Sequence, residues 1–293
     1  MRTTSEYCPH PPAGTGHEFD IAIYGIGNRL SIHVRDFQST LDGTIACAVL
    51  FSLLFLSLFV SLPTAGLAEL YRDSLIRTGL VTTFALAIIF VYSRFGAKKA
   101  PQFRVANARE SLLASIVAVL IWAVVWILFG ELSNTYRIML EPTRLNLVPL
   151  ALCVGVVDGL IVYAYCTDKF VDGIGRSVGI VVASLFGWLL FVVVSLDFAL
   201  YLLPIVVVLT YVAVRSGSPI GPVVATGLLL GFFYALTFYF GGSAWMLGGV
   251  PRGGRQTGFL LMTAVSAISA SVAGLSLRKI PLGGNFYGKS SAN

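Results

Sequence analysis

Eight long runs of apolar residues, nearly free of charge, alternate with shorter polar segments along the chain. A helix needs about 20 apolar residues to cross the hydrocarbon core of a bilayer, and each run approaches that length. None of the runs alternates apolar and polar residues as the strands of a membrane β-barrel do. The pattern therefore predicts an all-α integral membrane protein with a bundle of eight transmembrane helices, at residues 44–63, 78–93, 112–130, 147–165, 178–196, 198–214, 222–241 and 257–276.

The fifth and sixth of these spans form one continuous apolar run, residues 178–214, interrupted only by Asp197 and Pro204. A single straight helix of that length would measure roughly 55 Å at 1.5 Å per residue, which is too long for one bilayer. We therefore expect two short spans joined by a tight turn at Asp197. One long helix broken within the run stays open as the alternative.

Basic residues indicate the orientation of the predicted bundle. With eight spans, 14 of the 20 Lys and Arg residues lie on the side that holds both termini, and 6 lie on the other side. Cytoplasmic loops of membrane proteins carry an excess of Lys and Arg. We therefore expect a multi-pass protein of the cell membrane with both termini in the cytoplasm.

The chain divides into a cytoplasmic amino-terminal extension (1–43), the transmembrane domain (44–276) and a cytoplasmic carboxyl-terminal tail (277–293). Within the extension, apolar Leu30, Ile32 and Val34 alternate with polar residues, which is the period of a strand. We expect a small β-hairpin on the cytoplasmic face. An interfacial helix is the alternative, and Gly25 and Gly27 disfavour it.

Composition agrees with a membrane protein and excludes several other classes. Hydrophobic residues make up 56% of the chain and charged residues 12%, against about 45–50% and about 25% in soluble domains. The net charge of +6 is explained by the basic loops, so no nucleic acid is expected as a partner. The lipid bilayer is the expected environment. Whether the chain also associates with a second copy of itself or with another membrane subunit stays open.

All three histidines, His10, His17 and His33, precede the first predicted span. Intramembrane metalloproteases, haem oxidases and Ser–His proteases need histidine at membrane depth, so these classes are excluded. Cys8, His10 and His17 match none of the usual zinc-binding spacings. We expect no resident metal and no cofactor, and no catalytic residue is assigned.

Asp158 is the only acidic or basic residue well inside a predicted span, near the middle of the fourth. A charge at that depth costs at least about 2.5–3.5 kcal/mol, so the side chain should face the protein interior and favour its neutral form. Gly155 and Gly159 flank it at helical spacing and predict close approach of another helix. Asp158 is either a proton- or cation-responsive group in transport or a neutral acid that locks helix packing.

Three further sets of residues carry weaker predictions. Asp168 and Asp172 follow the fourth span and could hold Mg²⁺ at the membrane interface, or lie in a solvated loop. Arg252 and Arg255, in a glycine-rich outer loop, could bind an anion or belong to a plain connection. Gly227 and Gly231 form a second close-packing pair.

These observations favour a small-solute or ion transporter of the permease type, with Asp158 as its candidate transport group. A membrane-embedded lipid-processing enzyme that uses Asp168 and Asp172 is the first alternative, although the sequence leans away from an enzyme. A non-catalytic membrane scaffold or assembly subunit is the second, because buried polar groups are scarce.

Overall fold

The long apolar runs are helical in the computed structural model, which describes residues 19–25, 28–34, 36–58, 67–95, 107–133, 136–140, 142–194, 196–240, 243–245 and 255–280. A helix pairs its backbone polar groups internally, as an apolar surrounding requires. The helices are α1 (Phe37–Leu58), α2 (Leu67–Phe95), α3 (Ala108–Ser133), α4 (Val148–Gly159), α5 (Thr167–Ile174), α6 (Arg176–Val194), α7 (Leu196–Ser216), α8 (Ile220–Ala235) and α9 (Arg255–Leu277). A 3₁₀ turn at Pro142–Leu147 precedes α4, and a π-helical segment, Leu160–Cys166, joins α4 to α5.

Four helical stretches in the described part of the chain are long and apolar enough to cross a membrane. The membrane character predicted from composition is therefore supported. The other apolar helices are shorter. The four long stretches are Phe37–Leu56, Leu75–Phe95, Ala108–Phe129 and Leu145–Ile174; the shorter ones are Arg176–Leu189, Leu202–Ser216, Ile220–Ala235 and Thr263–Leu277.

Helix α1 begins several residues before the predicted start of the first span. Asp36 caps it, because its Oδ1 accepts hydrogen bonds from the backbone N–H groups of Gln38 at 3.1 Å and Ser39 at 3.3 Å. Asp42 consequently lies inside a membrane-length helix. The predicted boundary at residue 44 places Asp42 in the amino-terminal extension, whereas the structure places it in the second turn of α1.

The segment after the fourth predicted span is also helical. Residues 167–174 form α5, so the interpretation of Asp168 and Asp172 as members of a solvated loop is wrong. The seventh span ends earlier than predicted: α8 stops at Ala235, and the aromatic and β-branched residues that follow form strand β4 (Leu236–Phe240).

Residues 178–214 are divided between two helices. Helix α6 ends at Val194, α7 begins at Leu196, and the two helices pack against each other. The halves of one continuous helix could not make such a contact, which favours two helices over one. Asp197 lies in the first turn of α7, and Pro204 lies inside that helix.

Two small antiparallel sheets accompany the helices. Strands β1 (Phe19–Gly25) and β2 (Asn28–Val34) pair so that Phe19 is opposite Val34. In the second sheet, β4 lies between β3 (Tyr136–Leu140) and β5 (Ser243–Trp245). The segment before α4 and the segment after α8 are therefore joined by strand pairing.

Helices α4 and α8 approach each other through glycine. A Cβ atom on Gly155 would lie 2.7 Å from the carbonyl oxygen of Thr226 and 2.8 Å from Cα of Gly227. A Cβ atom on Gly159 would lie 2.8 Å from Cα of Val223. Gly231 contacts the side chain of Leu152 in the same interface. The two helices are therefore in direct backbone contact at the depth of Asp158.

Candidate functional site

Asp158 lies on α4, is 8% exposed, and presents an unsatisfied polar atom to the interior. Its Oδ1 has no hydrogen-bond partner among the described residues. Thr82 of α2 lies close enough to interact with the carboxyl group. The hydroxyl of Thr82, however, donates to the carbonyl oxygen of Thr78 at 2.9 Å. A hydroxyl has one proton and two lone pairs, so Thr82 can accept from a protonated Asp158 while it donates to Thr78, or rotate and donate to an ionised Asp158.

A second polar site lies nearer the start of α1, and we call it the inner ionic cluster: Gln38, Asp42, Tyr92, Tyr165 and Lys169. Its centre is a buried ion pair, in which Nζ of Lys169 lies 3.4 Å from Oδ2 of Asp42. The two side chains are 5% and 2% exposed. The apolar pattern of the sequence does not predict this cluster, because it assigns Asp42 to the amino-terminal extension and Lys169 to the segment after the fourth span.

The other members of the inner ionic cluster contact the two charged side chains. The hydroxyl of Tyr92 and the amide Nε2 of Gln38 each donate to Oδ1 of Asp42 at 3.0 Å. The ammonium of Lys169 lies 5.8 Å from the centre of the Tyr165 ring, on which it can make a cation–π contact. One oxygen of the Asp42 carboxylate thus accepts two hydrogen bonds, and the other oxygen lies against the ammonium group of Lys169.

Close packing of α1 against α5 brings Asp42 and Lys169 together. A Cβ atom on Gly43 would lie 3.2 Å from the ring of Phe170 and 3.3 Å from Cβ of Lys169. At the end of the interface, the backbone N–H of Asp36 donates to the carbonyl oxygen of Gly173 at 3.1 Å. The contact at position 43 is tight, so an added methyl group there would require Phe170 or Lys169 to shift by a few tenths of an ångström.

The two polar sites are connected by the π-helical segment. Asp158 lies two residues before this segment and Lys169 lies three residues after it. Every residue of the segment except Leu160 is buried. The hydroxyl of Thr167 donates to the carbonyl oxygen of Val162 at 2.8 Å. Interruptions of this kind inside α-helices occur frequently at functional sites. Asp158, the π-helical segment and Lys169 therefore belong to one helical stretch.

The remaining predicted residues are placed as follows. Asp168 and Asp172 are half-buried on α5, and both have interactions with other residues. In the described ranges no group of three or more His, Cys, Asp or Glu side chains could hold a metal ion. Arg255 begins α9. Arg252, Cys8, His10 and His17 lie outside the described residues.

The sequence contained a signal for the missed cluster. Asp36 and Ser39 form a helix start before the first apolar run, which places Asp42 on the helix. Nothing in the local pattern, however, indicates that Lys169 is its partner, because the two residues are 127 positions apart.

Comparison with known proteins does not assign the chain: no family model, curated protein or solved structure matches it.

Proposed function

We propose that the protein is an eight-span transporter of the permease type for a small solute or ion, with Asp158 as its proton-responsive group. The observation that carries this proposal is that one interrupted helical stretch holds both a buried acid with an unsatisfied oxygen among the described residues and the lysine of a buried ion pair. Ionisable groups at membrane depth are expensive and are a default sign of function. Discontinuous helices with such groups are typical of transporter sites.

The proposed eight-span topology is supported by contacts between loops. Strand β3, which follows the third span, pairs with β4, which follows the seventh. On the opposite ends of these helices, the hydroxyl of Ser111 at the start of α3 donates to the carbonyl oxygen of Ser218, between α7 and α8, at 2.8 Å. In an eight-span chain the two loops of each pair lie on the same side of the membrane, as these contacts require.

The two sites take different roles in this proposal. Asp158 binds and releases a proton, because the Thr82 hydroxyl can accept from its protonated form and donate to its ionised form. The Asp42–Lys169 pair holds α1 against α5, and in this proposal it closes the end of the domain that faces the cytoplasm. Opening that end requires α1 and α5 to separate, so the inner ionic cluster acts as the gate.

The first experiment replaces Asp158 by Asn in proteoliposomes loaded with a pH-sensitive dye. The vesicles are challenged in turn with amino acids, sugars, organic acids and alkali cations. We expect at least one solute to change the internal pH with the wild-type protein. The Asp158→Asn variant should abolish that response without loss of folding, because Asn has nearly the same shape but cannot carry the proton.

Asp168→Asn is the matched control, since it removes an acid from the same helical stretch outside the proposed proton site. It should leave the pH response unchanged. A response that survives Asp158→Asn would contradict the transport role of Asp158. A response lost in Asp168→Asn but not in Asp158→Asn would assign the proton-responsive group to Asp168 instead.

The topology is tested with reporter fusions in bacterial cells. Fused after residue 293, green fluorescent protein should fluoresce and alkaline phosphatase should be inactive, because both termini are proposed to be cytoplasmic. Fused after residue 141, between the third and fourth spans, the two reporters should give the reverse result. Phosphatase activity at the carboxyl terminus would contradict an even number of spans with a cytoplasmic amino terminus.

A further inference from the structure

Two cysteine side chains face each other across the interface that holds the inner ionic cluster. Sγ of Cys47, on α1, lies 3.6 Å from Sγ of Cys166, the last residue of the π-helical segment. Both are free thiols, 3% and 2% exposed. A disulfide has an S–S distance of about 2.0 Å, so closure requires an approach of about 1.5 Å. Side-chain rotation with a small shift of α1 would supply it.

Their position limits the reagents that can reach them. Both lie within membrane-length helical stretches, five residues beyond Asp42 and three residues before Lys169. Water-soluble disulfides such as glutathione disulfide do not partition into that region. Because both side chains are also buried in the protein, an oxidant reaches the pair only when α1 and the π-helical segment move apart, and it must dissolve in the bilayer and accept two electrons.

We infer that Cys47 and Cys166 are a redox-active dithiol, a modification site whose co-substrate is a lipid-soluble quinone. The step is balanced: each S–H bond breaks, one S–S bond forms, and the two thiols lose two electrons and two protons. The quinone accepts both electrons and both protons and becomes a hydroquinone. The two thiols already contact each other through an S–H···S hydrogen bond, so the sulfur atoms that must join are neighbours before oxidation.

The disulfide would hold the gate, the contact between α1 and α5, in its closed state. It would join α1 covalently to the π-helical segment next to the Asp42–Lys169 contact, so α1 and α5 could no longer separate. This consequence rests on the proposed transport function, whereas formation of the bond does not. The two parts therefore need separate measurements.

The bond is tested in the full chain with Cys8→Ser and Cys153→Ser substitutions, which leave Cys47 and Cys166 as its only thiols. The protein is embedded in lipid nanodiscs, treated with decylubiquinone, denatured and alkylated with a maleimide. We expect complete loss of both free thiols in a monomeric chain, with a linked peptide identified by mass spectrometry. The same concentration of glutathione disulfide should leave both thiols free. With Cys47→Ser added, Cys166 should remain alkylatable after quinone treatment.

Thiols that remain alkylatable after quinone treatment, or a disulfide that links two chains, would overturn this inference. The dye-loaded proteoliposomes then separate the two parts. If the bond forms and the pH response persists, the gate in the proposed function is wrong and the redox site stands. If the bond does not form and the pH response is intact, the redox site is wrong and the proposed function stands.

Discussion

Replacing Lys169 by Met is expected to lower the free energy of unfolding by about 3–5 kcal/mol, because it leaves the buried carboxylate of Asp42 without its counter-charge. The cost comes from desolvation. Asp42 is surrounded by protein, and the remaining donors, Tyr92 and Gln38, are neutral groups. Titration of the purified protein with a denaturing detergent, followed by helical circular dichroism, measures the change.

A double variant separates the ion pair from packing. Asp42→Asn combined with Lys169→Met removes both charges and should recover most of the lost stability, because buried pairs replaced by neutral residues are often nearly as stable. Arg176→Met is the matched control. Arg176 is exposed at the start of α6, and its loss should change the free energy of unfolding by less than about 0.5 kcal/mol. A double variant no more stable than Lys169→Met would contradict the ion-pair explanation.

The contrast between Asp42 and Asp158 also explains why the two acids are assigned different roles. One oxygen of Asp42 accepts two hydrogen bonds and the other lies against the ammonium of Lys169. In the described part of the chain, one oxygen of Asp158 has no partner, and the neighbouring hydroxyl of Thr82 donates to the backbone. A satisfied charge holds two helices together, whereas an unsatisfied acid can change its protonation state.

The helices could be predicted from the sequence because their signal is local. An apolar run near membrane length has few structural alternatives, so each predicted span overlaps a helix of the structure. The ends of the helices were less predictable. Polar residues such as Asp42 and Lys169 resemble loop residues when each is considered alone, and only their pairing makes burial tolerable. That pairing depends on tertiary contacts between α1 and α5, which periodicity does not contain.

The residues of the candidate site on α4 could be predicted from the sequence, but their partners on other helices could not. Asp158 is identified by its position in an apolar run, and Gly155 is identified by its spacing from Gly159. The identity of the opposing helix and of Thr82 could not be deduced, because many apolar helices are chemically equivalent partners. The Cys47–Cys166 pair was hidden for the same reason, since the two cysteines are 119 positions apart.

The glycine contact gives the second large prediction. Gly155→Ala should lower the free energy of unfolding by about 1–3 kcal/mol, and Gly155→Val by more, because the added atoms overlap the backbone of α8. The contact atoms are the carbonyl oxygen of Thr226 and Cα of Gly227, neither of which can rotate away. Helices α4 and α8 must therefore move apart at the depth of Asp158. The same detergent titration measures the loss.

Gly274→Ala on α9 is the matched control, because among the described residues no atom outside its own helix backbone lies within 4 Å of the Cβ it would add. It should raise the free energy of unfolding by about 0.5–1 kcal/mol, since Ala restricts the unfolded chain more than Gly and favours the helix. The two Gly→Ala changes thus have opposite expected signs. Equal effects at both positions would indicate that helix propensity, rather than the backbone contact between α4 and α8, determines the result at Gly155.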